Sequence, residues 1–168
     1  MDEEGRQNGV PGASAAPIEP PLSIEQASVD DKGRLKLPVK IVEYLTACAI
    51  TRVFITTVDL VQVRLYPLSL WKVNEKIFDT AGEHSDRMEE LARVAKHFGG
   101  DADIDKSGRV LLPEPLRKRM ELEKQAVMVD VHNGRVNVVS KKDHDALLEK
   151  ALGRLAENLK VAEKLNFK

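Results

Sequence analysis

Cysteine is almost absent. Cys48 is the only one in 168 residues, which excludes an intrachain disulfide and a cysteine-based zinc site. Aromatic residues are scarce at 4%, so a core drawn from 42% hydrophobic residues must be mostly aliphatic. No apolar run is long enough to span a bilayer. The acidic start, Met1-Asp2-Glu3-Glu4, lacks the basic and apolar regions of a signal peptide, and a cytoplasmic protein is expected. Net charge is nearly absent too, at −1, which taken alone argues against a nucleic-acid binder. That total hides a distribution. Residues 1–22 carry Asp2, Glu3, Glu4 and Glu19 against Arg6, leaving residues 23–168 at +2. Any binding to nucleic acid must therefore rest on local clusters or on many copies acting together.

A convergent set of nucleophile, base and stabiliser is also missing. Cys48 lies in Thr-Ala-Cys-Ala-Ile, an apolar context that suits a buried structural thiol. His84, His97, His132 and His144 share no metal-ligand spacing. Asp30 and Asp31 are adjacent, but Lys32 and Arg34 beside them oppose a cation site. The chain therefore reads as having no catalytic residue, metal, cofactor or small-molecule ligand.

What is present is a repeated module. Val29-Asp-Asp-Lys-Gly-Arg-Leu-Lys-Leu-Pro38 places a turn, Asp30 to Gly33, ahead of a strand in which Leu35 and Leu37 alternate with Arg34 and Lys36. Asp suits the first turn position because its carboxylate can accept hydrogen bonds from the turn's own amides. Gly suits the last because it tolerates positive φ. Pro38 stops the strand and suits a helix start, where no amide hydrogen is needed. The pattern recurs 75 positions later in Ile104-Asp-Lys-Ser-Gly-Arg-Val-Leu-Leu-Pro113, with Asp, Gly, Arg, Leu and Pro at identical spacing. One copy would be a common turn; two identify an internal repeat.

The remaining punctuation divides the chain. Residues 1–22, with Pro11, Pro17, Pro20 and Pro21, form a disordered tail by composition. Residues 23–78 form a first module: a strand from Ser23 to Val29, the turn and its exit strand, and a helix from Val39 to Cys48 with Val39, Val42 and Leu45 or Thr46 on one face. A hairpin (53–58 and 61–66) and a helix opened by Pro67 complete it. Residues 79–99 are a linker helix with Met88, Leu91, Ala95 and Phe98 on one stripe. Residues 100–148 replay the first module, with a hairpin tightened by Asn133-Gly134. Residues 149–168 extend a final helix that starts near Lys141 and runs to Leu165. Leu148, Leu152, Leu155, Leu159 and Ala162 form a heptad-like seam on it, suited to the chain's own body or to a neighbouring subunit. The fold class is α+β, mainly β.

Cations at a hairpin tip are often simply solvated. Here, however, Arg follows Gly in both copies, and Lys32, Arg34 and Lys36 occupy alternate positions. A strand ribbon can enter the major groove of double-stranded DNA, where Arg bonds two guanine acceptors. Lys32, Arg34 and Lys36 are the expected reading residues. Lys106 and Arg109 in the second turn are expected to neutralise backbone or to serve assembly, since Leu111 stands where Lys36 stood.

Three ordered motifs carry a resemblance: the first module, then Leu65-Tyr-Pro-Leu-Ser-Leu-Trp71, then the second module with Arg117 four residues beyond Pro113. Over roughly 22–148 the chain resembles the MraZ family of bacterial transcriptional regulators. The resemblance implies two tandem AbrB-like (SpoVT-AbrB) modules with short helices and a longer C-terminal helix, assembling as a ring-shaped homo-oligomer. It implies a repressor that binds direct repeats in the promoter of the division and cell-wall gene cluster and associates with the nucleoid. Its DNA-contacting Arg corresponds to Arg34, with Lys32 in the same turn. Val42 stands where the family often has a basic residue. The competing reading is an oligomeric assembly or protein-interaction module without specific DNA recognition.

Overall fold

The computed structural model describes residues 16–168. Of the expected tail, residues 1–15 lie outside the described residues, and 16–22 run without helix or strand. Eight strands follow: β1 Glu25–Val29, β2 Arg34–Lys36, β3 Arg52–Thr56, β4 Val63–Pro67, β5 Gly100–Asp103, β6 Arg109–Leu111, β7 Ala126–His132 and β8 Arg135–Ser140. The helices are α1 Val39–Ala47, α2 Leu68–Asp79, α3 Ser85–Phe98, α4 Glu114–Arg119, α5 Lys141–Leu152 and α6 Leu155–Lys164. The expected α+β class, mainly β, is what the chain adopts.

All eight strands join one antiparallel sheet in the order β5-β3-β4-β8-β7-β1-β2-β6. The two repeats interleave in it. β1 pairs with β7, β2 with β6, β3 with β5 and β4 with β8, so each repeat supplies neighbours for the other. Shifting every label by one repeat maps this pairing onto itself, the signature of an internal pseudo-two-fold. The strands at the two ends of the order, β5 and β6, flank the second turn and meet where the Asp105 amide donates to the Arg109 carbonyl at 3.0 Å. The sheet thus curls almost into a barrel, which hides most of its edges.

Alternation along the strands decides which residues face inward. Leu35 lies opposite Val29 on one side and Val110 on the other, and Leu65 lies between Ile55 and Val136. All six are sealed from solvent. Leu37, Ile41, Leu45, Leu112, Leu116 and Leu122 close the same core from α1, α4 and their flanks, and no aromatic ring is fully buried in it. Tyr44 and Phe98 pack against it partly buried, and four other aromatic residues gather outside. Phe54, Tyr66 and Phe78 surround Trp71 with ring centroids 4.4, 5.1 and 6.0 Å away, where α2 and α3 cover the outer face of β3 and β4. Thr56 Oγ1 donates to the Ala95 carbonyl at 2.7 Å and ties α3 to the sheet.

Local signals hold well. Asn133 and Gly134 both take positive φ (52° and 74°), as a two-residue hairpin between β7 and β8 requires. The stripe on α3 forms, with Ala95 at its sealed centre. Two helices depart from expectation. α1 buries Ile41 and Leu45, while Val39 is exposed. Leu37 enters the core immediately before Pro38, which sets the helix phase so that positions four and eight residues later follow it inward. The final helix is broken at Gly153 and Arg154, where glycine's backbone freedom disfavours continuation. No described part of the chain covers its seam: Leu148, Leu152, Leu155 and Leu159 are exposed. No described helix is long and apolar enough to cross a membrane.

Candidate nucleic-acid interface

Both turns fold as their residues dictate. Asp30 Oδ1 accepts the amides of Lys32 and Arg34, each at 2.9 Å; Asp105 Oδ1 accepts those of Ser107 and Arg109 at 2.8 and 2.9 Å. Gly33 and Gly108 sit at φ +80° and +72°, a region costly for any residue with a β-carbon. The two Asp side chains are turn-formers. Among the described residues, no group of three or more His, Cys, Asp or Glu could hold a metal ion.

These hydrogen bonds stabilise the ionised carboxylates. The Arg34 amide first, and then the Arg34 guanidinium and the Lys32 amide, hold Asp30 below the ordinary Asp value. The Arg109 amide does the same for Asp105. A depressed folded-state pKa means the contribution is full above the unfolded value, about 3.9, and is lost as pH falls through the folded one. Both turns should therefore hold at neutral pH and loosen only below about pH 4. The expected observation is that the Arg34 and Arg109 amide resonances keep their positions down to about pH 4 and move together below it. Midpoints above the ordinary Asp value would contradict the assigned hydrogen bonds.

The turns are not separate tips. β2 and β6 pair antiparallel, with Arg34 opposite Leu111, Leu35 opposite Val110 and Lys36 opposite Arg109. The Leu37 amide donates to the Gly108 carbonyl at 2.9 Å, and that of Leu112 to the Gly33 carbonyl at 3.0 Å, so each strand ends beside the other repeat's turn. Because Leu35 and Val110 point inward, Arg34, Lys36, Arg109 and Leu111 share the outward face. Gly33 to Leu37 spans four residue steps, about 14 Å of ribbon.

This arrangement regroups the candidate cations. Lys32 and Arg34 stand at one end. Lys36 stands at the other, directly across from Arg109, with its ammonium donating to the Ser107 carbonyl in the second turn. Sequence spacing suggested a first-turn trio; the strand pairing places Lys36 with the second turn. Leu111, 55% exposed, occupies the fourth outward position and shares a shallow pocket with Asp101 and Asp103, so the positive face stops at β6.

The two arginines differ in their restraint. Asp30 Oδ2 accepts Arg34 Nε at 2.7 Å, which steers the guanidinium, and its two terminal nitrogens make no hydrogen bond among the described residues. Arg109 is exposed and has no side-chain ion pair among the described residues. Arg117 was legible only as part of a motif, four residues after Pro113. In the fold it lies against Gly33, where a β-carbon would stand 2.9 Å from its Cζ and collide with its Cδ. Cys48, expected to be buried, is only half-buried at the end of α1, and His84, His97 and His132 are exposed.

No family model matches the chain. Curated relatives do. It is 34% identical over 108 residues to the transcriptional regulator MraZ of Marinomonas sp., covering 63% of this chain and 71% of that one. It is 34% identical over 106 residues to the MraZ regulator of Thiobacillus denitrificans, covering 63% and 72%. The match to the MraZ regulator of Idiomarina loihiensis is longer, 30% over 142 residues, covering 83% and 88%. With two basic turns joined in one ribbon and similarity that spans most of both proteins, the chain belongs to the MraZ family of transcriptional regulators.

Proposed function

We propose that this protein is a sequence-specific regulator that binds double-stranded DNA through the outward face of the β2–β6 ribbon. The observation that carries the proposal is the direct pairing of Lys36 with Arg109. Like charges opposite one another weaken a sheet, and a departure from local rules of this kind is expected at a functional site. An anion lying across the ribbon removes the conflict. The ribbon's length of about 14 Å suits a major groove about 12 Å wide. Its two ends suit different tasks. Arg34, steered by Asp30, is fit to read a base edge, and Lys36, Lys106 and Arg109 to neutralise phosphates.

One ribbon offers few contacts. Several ribbons on a ring would raise the effective concentration for each later contact and multiply affinity by roughly 10²–10⁴. That arrangement reconciles near-zero net charge with DNA binding. The leucines left exposed on α5 and α6 support an assembly role for the C-terminal segment. In this reading the protein is a nucleoid-associated repressor in the cytoplasm. It recognises direct repeats ahead of the division and cell-wall gene cluster as a ring-shaped homo-oligomer.

The test is a mobility-shift titration on the DNA upstream of the protein's own gene, with sedimentation in parallel. Arg34→Ala should abolish specific binding and leave the oligomer unchanged. Log K of the wild type should fall with log salt by about 0.9 per phosphate neutralised. Unchanged affinity for Arg34→Ala would sink the assignment of Arg34. Loss of the oligomer together with binding would favour the assembly reading.

A further inference from the structure

The geometry points to Arg117 as a positioning residue for the first turn: a latch reaching from the second repeat across the β2–β6 pair, which makes the Lys32–Arg34 end of the ribbon the base-discriminating end. The discriminating part of this inference rests on the DNA-binding reading above; the latch itself does not.

Arg117 is only 16% exposed, and its groups are engaged. Nε donates to Glu123 Oε1 at 3.0 Å, and Nη1 donates to the Leu112 carbonyl at 2.8 Å. Leu112 in turn donates its amide to the Gly33 carbonyl, so one side chain braces the segment that holds the turn and also covers Gly33 itself. The Lys124 amide reaches the Asp30 carbonyl at 3.4 Å from the same loop. Glu123 is shared, its Oε2 accepting Lys118 Nζ at 3.1 Å. Arg117 is nevertheless largely buried, with its guanidinium held by Glu123 and the Leu112 carbonyl, so it presents little charge to the outward face. Its effect on DNA would therefore pass through the turn.

The second turn is backed differently. The residue four beyond Pro38 is Val42, whose Cγ2 lies 2.8 Å from where a β-carbon on Gly108 would stand. It fills the same space with a methyl group and offers no hydrogen bond. The two turns therefore share a backbone but not a buttress. Discrimination between bases requires a guanidinium held to within about 0.5 Å and 10–20°. Neutralising a phosphate tolerates more movement. The braced turn suits the first task and the methyl-backed turn the second.

The test compares wild type, Arg117→Met and the milder Arg117→Lys as full chains. In Arg117→Met, hydrogen exchange at the Arg34 amide should speed up about tenfold or more while that at Arg109 stays unchanged. Affinity for the duplex upstream of the protein's own gene should fall about tenfold. Affinity for a scrambled duplex of equal length, and the salt slope, should not move. Arg117→Lys should fall between, and it carries the comparison if the Met variant does not fold. Unchanged exchange at Arg34 overturns the latch. A salt slope reduced by about 0.9 overturns it differently, by making Arg117 a direct phosphate contact. A wild type that binds both duplexes equally overturns the discriminating role and the DNA-binding reading, and the exchange rates then decide the latch alone.

Discussion

Lys36→Glu is expected to weaken binding to duplex DNA sharply while leaving the chain about as stable as before. The two effects differ because of one pairing. Lys36 stands directly across from Arg109, so a glutamate there replaces cross-strand repulsion with an ion pair, offset in part by the lost attraction between Lys36 and the Asp105 carboxylate. Such pairs contribute roughly 0.2–1 kcal/mol. The ammonium's bond to the Ser107 carbonyl is lost, but it is exposed and its loss costs little. For DNA the same change reverses a charge at the phosphate-neutralising end of the proposed contact face and leaves Arg109 engaged by a neighbour. If Lys36 and Arg109 each neutralise one phosphate, the salt slope should fall by about 1.8. Thermal unfolding and fluorescence anisotropy across a salt series check both halves. A variant that binds like wild type would remove the ribbon from the interface.

Leu35→Ala should be the most damaging single change to the fold. Leu35 has no exposed surface and lies between Val29 of β1 and Val110 of β6. Truncating a fully buried leucine costs about 2–5 kcal/mol, through lost burial and the cavity left behind. Domains of this size are stable by only about 5–15 kcal/mol, so much of the margin would go. Leu111→Ala, next to the Leu35–Val110 pair but on the outward face, should stay within about 0.5 kcal/mol. Chemical denaturation of the two variants separates a packing effect from a general weakness of the ribbon. A loss below about 1 kcal/mol for Leu35→Ala would mean that the β2–β6 junction is not tightly packed.

The sequence alone determined whatever depends on a few neighbouring residues. Asp30 and Asp105 accept their own turns' amides, and Gly33, Gly108 and Gly134 take positive φ, because short-range sterics and hydrogen bonding decide such turns. Alternation marked Leu35 and Leu37 as inward, and both are sealed. Scarcity of aromatics correctly pointed to an aliphatic main core. The family was legible as well, through three motifs in order. The phase of α1 was not, because it follows from where Leu37 enters the core. Nor was the break at Gly153, which a continuous leucine seam concealed.

Tertiary structure decided how the two repeats meet. β2 and β6 are joined by a register that local energetics does not contain, since residues 75 apart in sequence become neighbours only when the whole sheet closes. That register moved Lys36 from the first turn to the second and set it against Arg109. It also brought Arg117 over Gly33, where four residues' spacing from Pro113 marked a motif but named no contact. Local energies made two similar turns; long-range pairing turned them into one ribbon with unlike ends.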